Sequence, residues 1–176
     1  SEMCIRDSLC IGYRPRTRDS VQCDSVTDDS VSALFAQCPK LTSIAFTGCV
    51  SLTSVLIPNS VTAIGNHAFD QCFSLAAITI PDSLTSIGNH AFDGCSSLTA
   101  ITIPDLVTSI GKWAFRGCSS LTAITLPDLV TSIGDRAFYG CSSLTAITIP
   151  DSVTSIGNGA FSRCSSLVDP PQLRNS

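Results

Sequence analysis

The sequence predicts an α/β repeat solenoid, a right-handed coil of mostly short parallel strands with single helical turns. Six cysteines recur at intervals of 23 residues, and series of phenylalanines and prolines keep the same interval. A period of this length is typical of a solenoid, because each unit is too small to bury its own apolar face and must stack on its neighbours. The cysteines are Cys49, Cys72, Cys95, Cys118, Cys141 and Cys164.

Composition limits the classes of partner. The 176 residues are 44% apolar and only 14% charged, with a net charge of −4. The sequence therefore predicts no nucleic-acid partner, because it has no basic stripe to displace counterions from phosphates. It also predicts no membrane span, since its apolar runs are short and a span needs about 20 residues.

The unit that begins at Cys95 shows how each strand is predicted. Residues 100–103 read Ala-Ile-Thr-Ile, the period of two that a half-buried strand requires. Pro104 cannot donate to a strand ladder and so ends the strand. Together, Pro104 and Asp105 predict a turn, because proline presets its backbone dihedral and aspartate can bond its own backbone.

The second half of the unit returns the chain to the core. Val107 and Ile110 lie on a second extended stretch, and Gly111 permits the bend that follows it. Residues 112–116 are long enough for one helical turn, which Gly117 ends in the manner of a C-cap.

The consensus Leu-x-x-Ile-x-Ile-Pro-x-x-Val-x-x-Ile-Gly-x-x-Ala-Phe-x-Gly-Cys resembles the BspA-like (treponemal-type) leucine-rich repeat. The match covers five full units, from Cys49 to Arg163, and the start of a sixth. The resemblance implies a leucine-rich-repeat coil that serves in protein–protein or host-surface interaction. It further implies a cell-surface or secreted protein.

The repeats divide the chain into four segments. Residues 1–30 form a non-repeat lead-in without a secretory signal pattern, and residues 1–8 resemble translated adapter sequence. Residues 31–48 are a short atypical repeat or an N-terminal cap. The solenoid of 23-residue units spans 49–168, and a tail occupies 169–176, where Pro170 breaks the last strand pattern.

The cysteine column predicts buried free thiols that act as small apolar side chains. Stacked strands would bring neighbouring cysteines within disulfide range, but side chains that point the same way in a ladder of six cannot all pair in good geometry. Metal binding calls for close Cys-x-x-Cys pairs, which the chain lacks. Outside the column, the spacing leaves open the redox state of Cys4, Cys10, Cys23 and Cys38.

Two polar columns are interpreted as turn residues, so no metal or other cofactor is predicted. The aspartates that follow the repeat prolines could attract a calcium ion, but the glycine-rich calcium nonapeptide is absent. They are Asp82, Asp105, Asp128 and Asp151. His67 and His90 share one register, but no third ligand follows them.

The remaining candidates form a partner surface. Sequence variation gathers on the turn of each unit, where aromatic and arginine side chains of the kind enriched at binding hot spots occur. These residues are Trp113, Arg116, Arg136 and Tyr139. Leu106 and Leu129 replace serine at their register and are expected to lie outward beside them. Ordinary drift at exposed positions is the alternative interpretation.

The sequence thus predicts a non-enzymatic protein-interaction or adhesion module with a protein or cell-surface ligand as its partner. Catalysis is not expected, because the chain has no Gly-x-Ser-x-Gly elbow and no phosphate-binding loop. The alternative is an ice- or lattice-binding face, because an outward threonine column could order water. This column is flanked by alanine rather than a second threonine rank, and it consists of Thr79, Thr102, Thr125 and Thr148.

Overall fold

A computed structural model describes residues 8–10, 26–37 and 39–168, with only the backbone described for 8–10 and Gln37. The predicted tail at 169–176, most of the lead-in, and Cys4, Cys23 and Cys38 lie outside these residues. The described elements are β1 (Ser8–Cys10), α1 (Asp28–Gln37), β2 (Ser43–Ala45), β3 (Ser54–Leu56), β4 (Ala63–Ile64), β5 (Ala77–Thr79), β6 (Ser86–Ile87), β7 (Ser109–Ile110), β8 (Ala123–Thr125), β9 (Ser132–Ile133), β10 (Ala146–Thr148) and β11 (Ser155–Ile156).

Parallel pairing in the repeat register confirms the predicted solenoid. Seven strands form one sheet in the order β1-β2-β4-β6-β7-β9-β11, and Ser109 and Ile110 pair with Ser132 and Ile133 one unit later. The first strands of the units form two shorter pairs, β3-β5 and β8-β10, and Ala100 joins the second pair through an isolated bridge. The second extended stretch therefore carries the most continuous ladder.

The arc that follows the second strand consists of turns rather than a helical turn. In one coil, the N–H of Ala114 donates to the carbonyl of Gly111 at 3.3 Å, and that of Arg116 donates to the carbonyl of Trp113 at 3.1 Å. Trp113 has a φ of 59°, in the left-handed region, which interrupts a right-handed helix. Among the described residues, α-helix occurs only in α1, ahead of the repeats.

The core is one continuous column of stacked rings, as the phenylalanine period predicts. Neighbouring rings from Phe69 to Phe161 lie 5.2–5.5 Å apart and within 9° of parallel. The rings with no exposed surface are Phe46, Phe69, Phe92, Phe115 and Phe138. A single apolar interior thus runs the length of the stack, and each coil buries its ring between its neighbours.

Helix α1 covers the first end of this column. Val31 and Phe35 are buried, and the ring of Phe35 meets that of Phe46 edge-on at 5.9 Å. The helix begins at Asp28, within the segment predicted as a lead-in. It lies where a preceding coil would otherwise cover the ring of Phe46.

The carboxylate of Asp28 completes the exposed edge of strand β3. In the next coil, the N–H groups of Ala76 and Ala77 donate to the carbonyl of Thr53, but Thr53 has no such coil before it. Its own N–H and that of Ser54 instead donate to Oδ1 of Asp28 at 2.9 and 3.0 Å. Both hydroxyls donate to Oδ2. A side chain thereby satisfies edge donors that would otherwise lack protein partners.

We expect Asp28→Asn to weaken the first end of the stack by about 1 kcal/mol at neutral pH, which is below the usual range of about 1.5–3 kcal/mol for charged hydrogen bonds because the site is partly exposed. Burial raises the pKa of Asp28, but the bonds from Ser54 and Thr53 together outweigh it and lower the pKa to about 2. Because the folded pKa lies below the unfolded value of about 3.9, this contribution is present above pH 4 and is lost as the pH falls towards 2.

The measurement is urea unfolding of both proteins at several pH values between 2 and 7. The difference in unfolding free energy between wild type and variant should shrink on acidification, whereas Asp29→Asn, at an exposed neighbour, should follow wild type throughout. A difference that stays constant with pH would contradict this role of Asp28.

Candidate partner-binding surface

The turns between the second strand and the next cysteine form a strip along the solenoid, here called the arc (residues 66–73 and their equivalents in each later coil). All four basic residues within 49–168 lie on the arc, although the chain as a whole is acidic. They are Lys112, Arg116, Arg136 and Arg163. The repeat region therefore concentrates its positive charge on one strip.

A stack of planar side chains runs along the arc through four successive coils. The rings of His67 and His90 lie 4.6 Å apart at 9°, and Trp113 continues the stack 5.9 Å from His90 at 11°. The guanidinium carbon of Arg136 lies 4.8 Å from the centre of the Trp113 ring. The stack arises because these four residues share one register, so the coil rise sets their separation.

A second group of side chains lies beside this stack. The guanidinium of Arg116 lies 5.0 Å from the Trp113 ring and forms an ion pair with Asp93 at 3.2 Å. The ring of Tyr139 is tilted by 53° to that of Trp113 at 6.1 Å, and Arg163 covers Tyr139 at 5.2 Å. Cation–π contacts of this kind hold the guanidinium groups against aromatic faces.

Backbone conformation marks the planar stack as unusual. His67, His90, Trp113 and Arg136 have φ between 52° and 59°, and Gly159 takes the same register in the last coil with φ 63°. Large side chains rarely adopt this region, and glycine occupies it without strain. The stack thus has large side chains at positions whose left-handed backbone conformation favours glycine. Backbone strain of this kind clusters at functional sites.

The two histidines are held by carboxylates. Nδ1 of His67 lies 2.9 Å from Asp70, and Nδ1 of His90 lies 2.9 Å from Asp93. Within the described part of the chain, no three His, Cys, Asp or Glu side chains are grouped as a metal would require. The near-parallel imidazole planes also direct their in-plane lone pairs alongside each other rather than at one point.

An open groove of about 600 Å³ follows the arc. Gly94, Gly117 and Gly140, in one register, form its floor, and Tyr139 and Phe73 are among its walls. Each floor glycine has a φ of 70–77°, and a Cβ at Gly117 or Gly140 would meet no atom closer than 3.7 Å. The groove exists because this register carries no side chain in three successive coils.

The structure brings together four of the predicted site residues and separates the others. Trp113, Arg116, Arg136 and Tyr139 adjoin one another on the arc. Leu106 and Leu129 are about half exposed, at 49% and 51%, but they precede the second strand while the arc follows it. The threonine column is exposed on the face of the first strands, and it consists of Thr79, Thr102, Thr125 and Thr148.

Sequence reasoning missed three contributors to this surface. It interpreted His67 and His90 as exposed turn residues, although their shared register with Trp113 is the signal that places them in one stack. It also left out Arg163, which covers Tyr139 from the next coil.

The cysteine column is buried and free, as predicted. Each thiol of the column from Cys72 onwards donates to the carbonyl of the phenylalanine 26 residues earlier, at 3.1–3.2 Å. Burial raises the pKa of Cys95, and the neighbouring thiols Cys118 and Cys72 raise it further. Burial also raises the pKa of Cys118, so these two central thiols are held in the neutral form, which is the unreactive one.

The fold and the periodic interior define a leucine-rich-repeat solenoid. Residues 39–168 match the model of the BspA type leucine rich repeat region in six copies, and the chain belongs to this family. No curated protein matches the chain. Proteins of this repeat family are commonly surface proteins for protein interaction. No helix in the described residues has the length and apolar character to cross a membrane.

Several solved structures share the fold. A leucine-rich repeat protein from Bacteroides ovatus is 44% identical, with a TM-score of 0.69 over 72% of this chain and 34% of that one. A leucine rich cell surface protein from Faecalibacterium prausnitzii is 46% identical, with a TM-score of 0.68 over 72% and 35%. The T. pallidum leucine rich repeat protein is 36% identical, with a TM-score of 0.60 over 73% and 72%. The chain thus spans about a third of the first two proteins.

Proposed function

We propose that this chain is a non-enzymatic binding module of a cell-surface or secreted protein, and that the arc is its partner surface. The stack of His67, His90, Trp113 and Arg136 supports the proposal, because it sets large side chains at glycine-suited backbone positions. The solenoid gains little from that arrangement, since Gly159 takes the same register without strain.

The chemistry of the arc suits a protein partner. Aromatic and arginine side chains are enriched at binding hot spots, and here they are held in place by contacts with one another. Trp113 and Tyr139 are partly buried before any partner arrives, so less side-chain freedom is lost on binding. The relative that is described as a leucine rich cell surface protein supports the surface location.

The test uses residues that the solenoid already carries in its last coil. Trp113→Gly with Tyr139→Ser reproduces Gly159 and Ser162, so the coil should remain intact. The chain is titrated against a panel of purified extracellular proteins by biolayer interferometry, and each binder is measured again with the variant. We expect at least a tenfold rise in Kd, because the variant removes both aromatic anchors.

The control variant Thr102→Ala with Thr125→Ala alters the other exposed face. Its Kd should stay within about twofold of wild type, as is usual for peripheral polar positions. Equal weakening by both variants, or no binder in the whole panel, would contradict the proposal.

A further inference from the structure

The turn that joins the two strands of each coil forms a second edge of the solenoid, here called the acidic ridge. It carries four exposed carboxylates in one register and two half-exposed leucines. These residues are Asp82, Asp105, Asp128, Asp151, Leu106 and Leu129. The ridge precedes the second strand and the arc follows it, so the two strips lie at opposite ends of that strand.

The two leucines give up a hydrogen bond that neighbouring coils make. At the same register, the hydroxyl of Ser83 donates to the carbonyl of Val61 at 3.0 Å, and that of Ser152 donates to Val130 at 2.8 Å. A leucine cannot form this bond between coils, and it leaves half of its apolar surface in water. Leu106 and Leu129 therefore stabilise the isolated solenoid less than serine would. Their exposed apolar side chains are suited to contact with a second molecule.

The arc has the charge and shape that complement this ridge. Arg136 and Arg163 form no ion pair with a carboxylate among the described residues, and their guanidinium groups lie over aromatic rings. Arg163, Tyr139 and Phe73 line the glycine-floored groove, which has room for side chains, and Arg136 lies on the neighbouring planar stack. The ridge offers carboxylates and two leucines, and the arc offers aromatic side chains and the guanidinium groups of Arg136 and Arg163. The aspartates of the arc already have partners: Asp70 with His67, Asp93 with His90 and Arg116, and Asp135 with Lys112.

Spacing permits the match, as it does for any two registers of one solenoid. Leu106 and Leu129 are one coil apart, as are the floor glycines Gly117 and Gly140. Both distances are set by the same coil rise, which is seen as 5.2–5.5 Å between stacked phenylalanine rings. The leucines of one copy and the floor glycines of a second copy beside it therefore recur with the same spacing.

We propose that the acidic ridge of one copy docks into the arc of a second copy, with Leu106 and Leu129 in the groove and the ridge aspartates facing Arg136 and Arg163. This inference rests on one part of the proposed function, the use of the arc as a docking surface, and does not require that a foreign protein binds there. The contact joins two different strips, so a pair of copies still has one free arc and one free ridge for further copies. Such a heterologous contact builds a ring where its rotation closes and an open side-by-side array where it does not.

The first test is sedimentation velocity from 5 to 500 μM, in roughly 20 mM and roughly 500 mM salt, where the Debye length falls to about 4 Å. We expect wild type to associate with rising concentration, and more weakly at high salt. Leu106→Ser with Leu129→Ser restores the serine of neighbouring coils and should weaken association at least tenfold without lowering Tm. Thr102→Ala with Thr125→Ala should associate as wild type does.

The second test depends on the contact joining two different strips, the ridge of one copy and the arc of another. Arg136→Glu with Arg163→Glu damages only the arc, whereas the double leucine variant damages only the ridge. Each variant should be monomeric alone, and an equimolar mixture should form dimers and stop there, because only one pair of intact strips remains. Arg136→Gln with Arg163→Gln provides a milder arc variant should the charge reversal fail to fold.

The outcomes are distinct. Monomeric wild type at 500 μM in low salt, or association by the leucine variant as strong as wild type, would overturn the proposal. A mixture that stays monomeric would also overturn it. Foreign-protein binding that fails while the mixture forms dimers would reject the proposed function and keep self-docking, whereas the reverse pattern would reject self-docking alone.

Discussion

Gly111→Ala is expected to lower the free energy of unfolding by about 4 kcal/mol or more, among the largest effects of a single substitution. An alanine Cβ at this position would lie 2.5 Å from the carbonyl carbon and oxygen of Gly88 in the preceding coil. Backbone atoms cannot move aside as a flexible side chain does, so the two coils must separate. That movement would stretch the bond from the Gly111 N–H to the carbonyl of Ile87, now 3.2 Å.

The matched control is Gly65→Ala, which lies at the register of Gly111 in the first coil that carries this glycine. A Cβ there would have no atom within 4 Å, since no full coil precedes it. We expect the free energy of unfolding to change by no more than about 1 kcal/mol. Alanine causes no clash at this position, and it also restricts the unfolded chain. Unfolding in guanidinium chloride, followed by circular dichroism, measures both variants. Similar losses at the two positions would show that close approach between coils is not the reason for this glycine.

Phe115→Ala should cost about 3–5 kcal/mol, the range for removing a phenylalanine from a packed core. The ring has no exposed surface and lies between Phe92 at 5.2 Å and Phe138 at 5.3 Å, nearly parallel to both. Its loss leaves a cavity in the middle of the stack and removes two ring contacts. In a solenoid stability comes from such contacts between neighbouring units, so a central gap also uncouples the two halves.

The control for this prediction is Phe161→Ala, at the same register in the last repeat. That ring is partly exposed and contacts a single ring neighbour, Phe138 at 5.5 Å. We expect about half the loss measured for Phe115→Ala, and a transition that remains single, because a terminal defect leaves the rest of the stack coupled. Equal losses, or a sharp single transition for Phe115→Ala with no loss of Tm, would contradict the idea of a shared ring column.

The fold could be predicted from the sequence because the repeat specifies which residues of successive units are neighbours. A strict interval of 23 residues means that a residue and its successor occupy equivalent places, so Phe92 must meet Phe115 if the units stack at all. Burial of the phenylalanine and cysteine columns and the parallel register follow from that one condition. The candidate surface followed only in part, because a register says which residues are neighbours along the stack and not which of two edges they lie on.

By itself, the sequence determined the stacked architecture, the interior columns and the family resemblance, because all three depend on periodic apolar residues that identical coils bury together. Only the tertiary structure decided the remaining features. Helix α1 and the Asp28 edge bonds lie outside the periodic residues, so no neighbouring unit predicted them. The left-handed backbone at Trp113 replaced the expected helical turn and aligned His90, Trp113 and Arg136. Backbone dihedrals of that kind are set by hydrogen bonds between coils, such as that from the Trp113 N–H to the backbone carbonyl of Asp135, which form only once the stack exists.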